Sequence, residues 1–125
     1  MAAVTSTNNR GHGGFEVRSW LFVRISGLAL VFLALGHMAI MHLIGGGVDR
    51  IDFDFVARRW EGALWRSYDW LLLATALLHG AAGARLTILD HIRHAGLRKG
   101  LLGLLVAATA VLLALGTFVI VKFQP

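Results

Sequence analysis

Three long apolar stretches divide the chain, and polar residues gather between them. The first, residues 25–44, is 20 residues without a formal charge, about 30 Å as helix and one hydrocarbon thickness. The last, residues 100–121, holds 22 uncharged residues and closes on Lys122. The middle stretch is weaker: its uncharged core, residues 70–84, runs for 15 residues before Arg85 interrupts it. Adding Leu86, Ile88 and Leu89 brings it to about 20 residues, with Arg85 snorkelling toward one interface. The pattern predicts an all-α integral membrane protein with three transmembrane helices at about 21–44, 65–89 and 100–122. These form one anchor domain, 20–125, behind a flexible polar N-terminal segment, 1–19.

The connectors differ. Residues 45–69 carry five acidic and four basic side chains interleaved with Trp60, Trp65 and Tyr68, and Trp70 follows. Such aromatics favour the headgroup level, which predicts a short interfacial helix or half-turn rather than a soluble domain. The glycine run 45–47 ends the first helix, since glycine tolerates the left-handed conformation of a helix stop. Residues 90–99 (DHIRHAGLRK) are short and basic, so the second and third helices form an antiparallel hairpin.

Composition agrees with the bilayer as solvent. Of 125 residues, 57% are hydrophobic and 15% charged, with mean hydropathy +0.69; a soluble domain of this size would expose a continuous apolar surface. The absence of Cys excludes disulfides, thiolate chemistry and an iron–sulfur cluster ligated by cysteines of this chain. A net charge of +5 would in a soluble domain point to nucleic acid. Here the basic residues flank apolar runs, so topology and anchoring account for them, and no nucleic-acid partner is expected. Arg10, Arg18, Arg24, Arg85, Arg93, Arg98 and Lys99 lie on one side, against Arg50, Arg58, Arg59, Arg66 and Lys122 on the other. That bias predicts a multi-pass protein of the cell (inner or cytoplasmic) membrane with its N-terminus inside. The first 19 residues lack a signal peptide's apolar core, so the first helix is expected to be retained.

Polar side chains within apolar runs are costly and call for a reason. His79 lies mid-span in LLHGAAGAR, with Gly80, Gly83 and several alanines around it. Small residues let a flat macrocycle approach a helix closely enough to reach an imidazole; the same residues also serve a helix–helix contact across which the His is hydrogen bonded. His37 lies about 20 Å beyond Arg24 along the first helix, and His79 about 16 Å before Asp90 along the second, so the two imidazoles fall at different depths. His42 is two residues from its span's end and is read as interfacial, while His12, His91 and His94 fall outside the spans. Arg24 and Arg85 lie near the inner face, where a haem propionate or lipid phosphate would partner them and where plain snorkelling would also keep them. Asp90 beside His91 is either a proton relay at a pocket mouth or a water-exposed acid.

The stretch HGAAGARLTILDH has a histidine followed by Gly four residues on and Asp eleven residues on. It resembles the membrane-anchor subunits of succinate:quinone oxidoreductase, respiratory complex II, and the D-type subunit in particular. WLFVRISG at the head of the first helix and the three-span layout fit the same resemblance, which covers residues 18–123 and rests on about ten specific positions. The resemblance implies a subunit that is itself non-catalytic. His79 would be an axial ligand of haem b, the other ligand coming from a C-type anchor subunit. Asp90 would lie at the quinone site beside the iron–sulfur subunit, and Arg24 near the propionates or that site, with Arg85 a further haem-side cation. The family's Tyr after the Asp is His91 here, so an imidazole would replace a phenol as hydrogen-bond donor to the quinone. Two-haem members resemble this chain in carrying a histidine in each of the first two helices, which makes His37 a candidate ligand of a second haem. Val23 stands where C-type anchors carry His before R-x-S-G, which favours the D-type assignment. The implied partners are the C-type anchor, the iron–sulfur and flavoprotein subunits, and membrane lipid. The alternatives are the cytochrome b-type anchor of another membrane dehydrogenase, and a haem-free structural anchor.

Overall fold

The computed structural model describes residues 12–44 and 46–123. Helix α1 is His12–His42, α2 is Phe53–Glu61, α3 is Ala63–His91 and α4 is Ala95–Lys122; a single 3-10 turn, Gly47–Arg50, precedes α2. Three of these, over Gly14–His42, Ala63–His91 and Ala95–Lys122, are long and apolar enough to cross a bilayer. At 28 to 31 residues each is more than about 40 Å long. Every one therefore outruns the hydrocarbon and carries polar turns into the headgroups, where helical hydrogen bonding continues without an apolar sequence to announce it. The helices accordingly begin ahead of the apolar runs, at His12, Ala63 and Ala95. The expected polar segment 1–19 lies outside the described residues up to residue 11 and is helical from His12 onward.

α3 is the central element, packed against both α1 and α4. Glycines on the neighbours make the close approaches: a Cβ at Gly36 of α1 would lie 2.6 Å from the Tyr68 hydroxyl, and one at Gly116 of α4 would collide with Leu73. Tyr68 uses the space to donate a hydrogen bond to the Leu33 carbonyl, 2.6 Å away. Two residues on, across to α4, Trp70 Nε1 donates to Thr117 Oγ1 at 2.9 Å.

After α1 the chain reverses through Gly46 and Gly47, both at positive φ (109° and 66°), a conformation a Cβ disfavours. Asp52 caps α2 by accepting from the Phe55 N–H at 2.8 Å. α2 is a short helix in the first connector, as expected there, and it turns Ala57 and Arg59 inward. The second connector is shorter than its sequence suggests. Asp90 and His91 belong to the last turn of α3, the Ile92 N–H bonds back to Ile88, and His94 Nδ1 caps α4 by accepting from the Leu97 N–H. Only residues 92–94 are left between the helices.

Candidate functional site

Within the described residues two polar side chains are buried, Ser26 and Arg59, and each anchors a cluster built around one of the intramembrane histidines.

The first cluster joins α1 to α3. Ser26 Oγ lies 2.6 Å from the Phe22 carbonyl one turn back and 2.9 Å from His79 Nδ1. A hydroxyl has one proton, and a carbonyl can only accept. With that proton on the Phe22 oxygen, Ser26 accepts from His79, so the neutral ring carries its proton on Nδ1 and keeps the Nε2 lone pair free. The ring also lies against the α1 backbone: a Cβ at Gly27 would stand 3.2 Å from His79 Cε1. On α3 itself, a Cβ at Gly80 or Gly83 would meet nothing within 4 Å in this chain. The His79 turn therefore presents an open, backbone-deep face beside an imidazole whose tautomer is set for ligation, and these features fit a haem.

Two arginines lie toward the end of the bundle that carries the α3–α4 connector. Arg24 stacks over the Trp20 ring at 3.9 Å, and Arg85 lies 5.0 Å from the Phe15 ring centre. Each cation thus rests on an aromatic face of α1. By helical rise Arg24 is about 3 Å and Arg85 about 9 Å from the level of the Ser26–His79 contact. Asp90 is about 16 Å from that level along α3, which puts it about 13 Å beyond Arg24 but only about 7 Å beyond Arg85. It is exposed and makes no hydrogen bond or ion pair among the described residues. His91 is also exposed, and its Nδ1 lies 3.0 Å from the Thr87 carbonyl. The carbonyl accepts, so a neutral His91 offers Nε2 only as an acceptor. The donor role expected of this ring toward a quinone oxygen requires the protonated form.

The second cluster lies at the α2 end. His37 Nδ1 is 3.5 Å from Asp69 Oδ1. The same carboxylate accepts from Arg59 at 2.6 Å and from Trp60 Nε1 at 2.8 Å. Arg59 additionally lies over the Trp65 ring and reaches the Met41 sulfur at 3.6 Å. Arg66 donates to the carbonyls of Trp60 and Phe123, tying α2 and the end of α4 to α3. His37 thus sits beside a carboxylate already engaged by two strong donors. From Ser26 to His37 is about 16 Å along α1, which bears out the different depths of the two imidazoles. A single iron cannot take both as ligands. His42 is exposed at the end of α1, as its interfacial reading expected; His12 heads the same helix.

Arg59, Asp69 and Trp60 escaped the sequence reading because they look like ordinary connector residues until α2 folds back on α3. Ser26 lies within WLFVRISG at the head of the first helix. Nothing in the spacing pairs it with a residue 53 positions later.

A family model of the succinate dehydrogenase/fumarate reductase transmembrane subunit matches residues 7–118. No individual curated protein matches the chain.

Proposed function

The chain belongs to the succinate dehydrogenase/fumarate reductase transmembrane subunit family, membrane anchors that associate with flavoprotein and iron–sulfur subunits; from that premise we propose that it is a D-type anchor which holds haem b through His79 and helps to shape a quinone site. The observation that carries this reading is the Ser26–His79 hydrogen bond, which leaves Nε2 available beside the open face at Gly80 and Gly83. Haem b, when bound, supplies a one-electron carrier within the membrane.

The chain's own contributions follow from its residues. His79 would hold the haem iron through one imidazole nitrogen. His37 is too far along the bundle to supply the other ligand, so a second chain, the C-type anchor, would provide it. Arg24 and Arg85 would balance the propionate charge from their aromatic perches. Asp90, exposed on the last turn of α3, would pass protons from water to a quinone taking two electrons and two protons, and His91 in its protonated form would hold a quinone oxygen. The N-terminal side, rich in Lys and Arg, would face the cytoplasm and receive the iron–sulfur subunit.

A second reading has one observation in its favour. The Asp69 carboxylate beside His37 Nδ1 resembles the carboxylates that often stand behind the free nitrogen of a ligating imidazole, which suits a further haem at His37.

A reduced-minus-oxidised visible spectrum of the purified complex tests these readings. The wild type is expected to show a b-type band and His79→Ala to lose the haem ligated there. With two haems, His37→Ala removes about half of the band. A complex with no b-type band in any form would leave a haem-free anchor. Asp90→Asn is expected to impair quinone reduction while the band stays intact.

A further inference from the structure

Ser26 is buried, with 6% of its surface exposed, where α1 and α3 meet beside Gly27. A serine in a membrane helix commonly satisfies its hydroxyl on the carbonyl one turn back, as this one does on Phe22. That bond uses the hydroxyl proton and leaves the oxygen's lone pairs unspent. His79 Nδ1 is 2.9 Å from that oxygen. The result is a directed chain, His79 N–H to Ser26 O–H to the Phe22 carbonyl, in which each bond polarises the next. Gly27 contributes the other constraint, because its missing Cβ lets the imidazole lie 3.2 Å from where that atom would stand. The hydroxyl therefore fixes both the rotation of the ring and the nitrogen that carries the proton.

We infer that Ser26 is a positioning residue for the haem site, holding the His79 tautomer and setting how strongly its imidazole donates to iron. The inference rests on His79 being the ligand. An imidazole whose outer N–H has a good acceptor is the more basic ligand. A more basic axial ligand favours ferric over ferrous iron and lowers the haem potential. Without the hydroxyl, the Nδ1 proton faces apolar surroundings, the imidazole becomes a poorer donor, and the potential rises.

The test uses the intact membrane complex in four forms: wild type, His79→Ala, Ser26→Ala and Ser26→Thr. Visible difference spectra and redox titrations of the b-type band are the readouts. The expected result is a band that His79→Ala removes and Ser26→Ala retains. In Ser26→Ala the ratio of reduced to oxidised haem at a fixed ambient potential rises about tenfold, which is about 59 mV for a one-electron couple. Ser26→Thr, which keeps a hydroxyl, returns the ratio to the wild-type value. A band lost in Ser26→Ala and recovered in Ser26→Thr, with flavoprotein still co-purifying, supports the same role. A Ser26→Ala complex with wild-type band and potential overturns the positioning role while leaving His79 as ligand. So does any loss that Ser26→Thr fails to repair. A band undiminished in His79→Ala overturns the ligand assignment and the positioning role together.

Discussion

The contacts of single side chains decide how much change the Ser26–His79 cluster tolerates. His79 stood out in the sequence because an ionisable residue interrupts an apolar run; its partner did not, since serine is commonplace in membrane helices and its usual bond is local. Gly27 is legible only in three dimensions. Its Cα faces the imidazole, so Gly27→Val forces the ring to shift, and overpacking of this kind costs about 1–3 kcal/mol. The expected outcome is loss of most of the b-type band in an assembled complex, read by difference spectroscopy with flavoprotein co-purification as the assembly control. Gly83→Val makes the complementary experiment. A Cβ there meets nothing within 4 Å in this chain, so α3 should stay folded by circular dichroism. A fall of more than half in the band would then report a group seated on that face, and an unchanged band would argue against one.

Among the elements, α2 depends most on a few polar bonds. It was legible as an interfacial helix from its mixed charges and aromatics, but the bond that docks it was not. Arg59 and Asp69 stand on opposite sides of the break at Gly62, and no periodicity links residues on two separate helices. The Arg59 side chain is 5% exposed and that of Asp69 13%, so removing the carboxylate strands a buried cation. Asp69→Asn is expected to destabilise the docked helix by about 3–5 kcal/mol, seen as faster proteolysis between α1 and α3 in detergent. Asp54→Asn, on the exposed side of the same helix, should change stability by less than about 0.5 kcal/mol. Helix ends were the least legible feature for a related reason. Apolar runs mark where lipid begins, whereas α3 and α4 continue through polar turns almost to each other.

Taken whole, the chain has little interior of its own. Among the described residues only Ala57, Ala74 and Ile120 are buried apolar side chains, while Phe32 is 71% exposed and Leu104 66%. The three-span layout was readable because lipid-facing surfaces are apolar whatever they pack on, and the same generality left the partner-facing surface unreadable. The protein expressed without its complex is therefore expected to aggregate when detergent is diluted, measured by size-exclusion chromatography. Its orientation has a clean assay, because the sequence contains no Cys. In intact cells an impermeant maleimide should label Asp54→Cys and spare Lys99→Cys, and the reverse pattern would invert the proposed topology. The hairpin formed by α3 and α4 bears on how the protein is made. The best membrane window of α3 has mean hydropathy 1.5, against 2.7 for α4, and α3 leaves the ribosome first carrying His79 and Arg85. With only residues 92–94 between them and Trp70 bonded to Thr117 at the opposite end, the two helices are built to enter the bilayer as a pair. Synthesis stopped after residue 94 should leave α3 inserting poorly, with its glycosylation or protease reporter on the wrong side: the most apolar helix would then be the carrier for the one that holds His79 and Arg85.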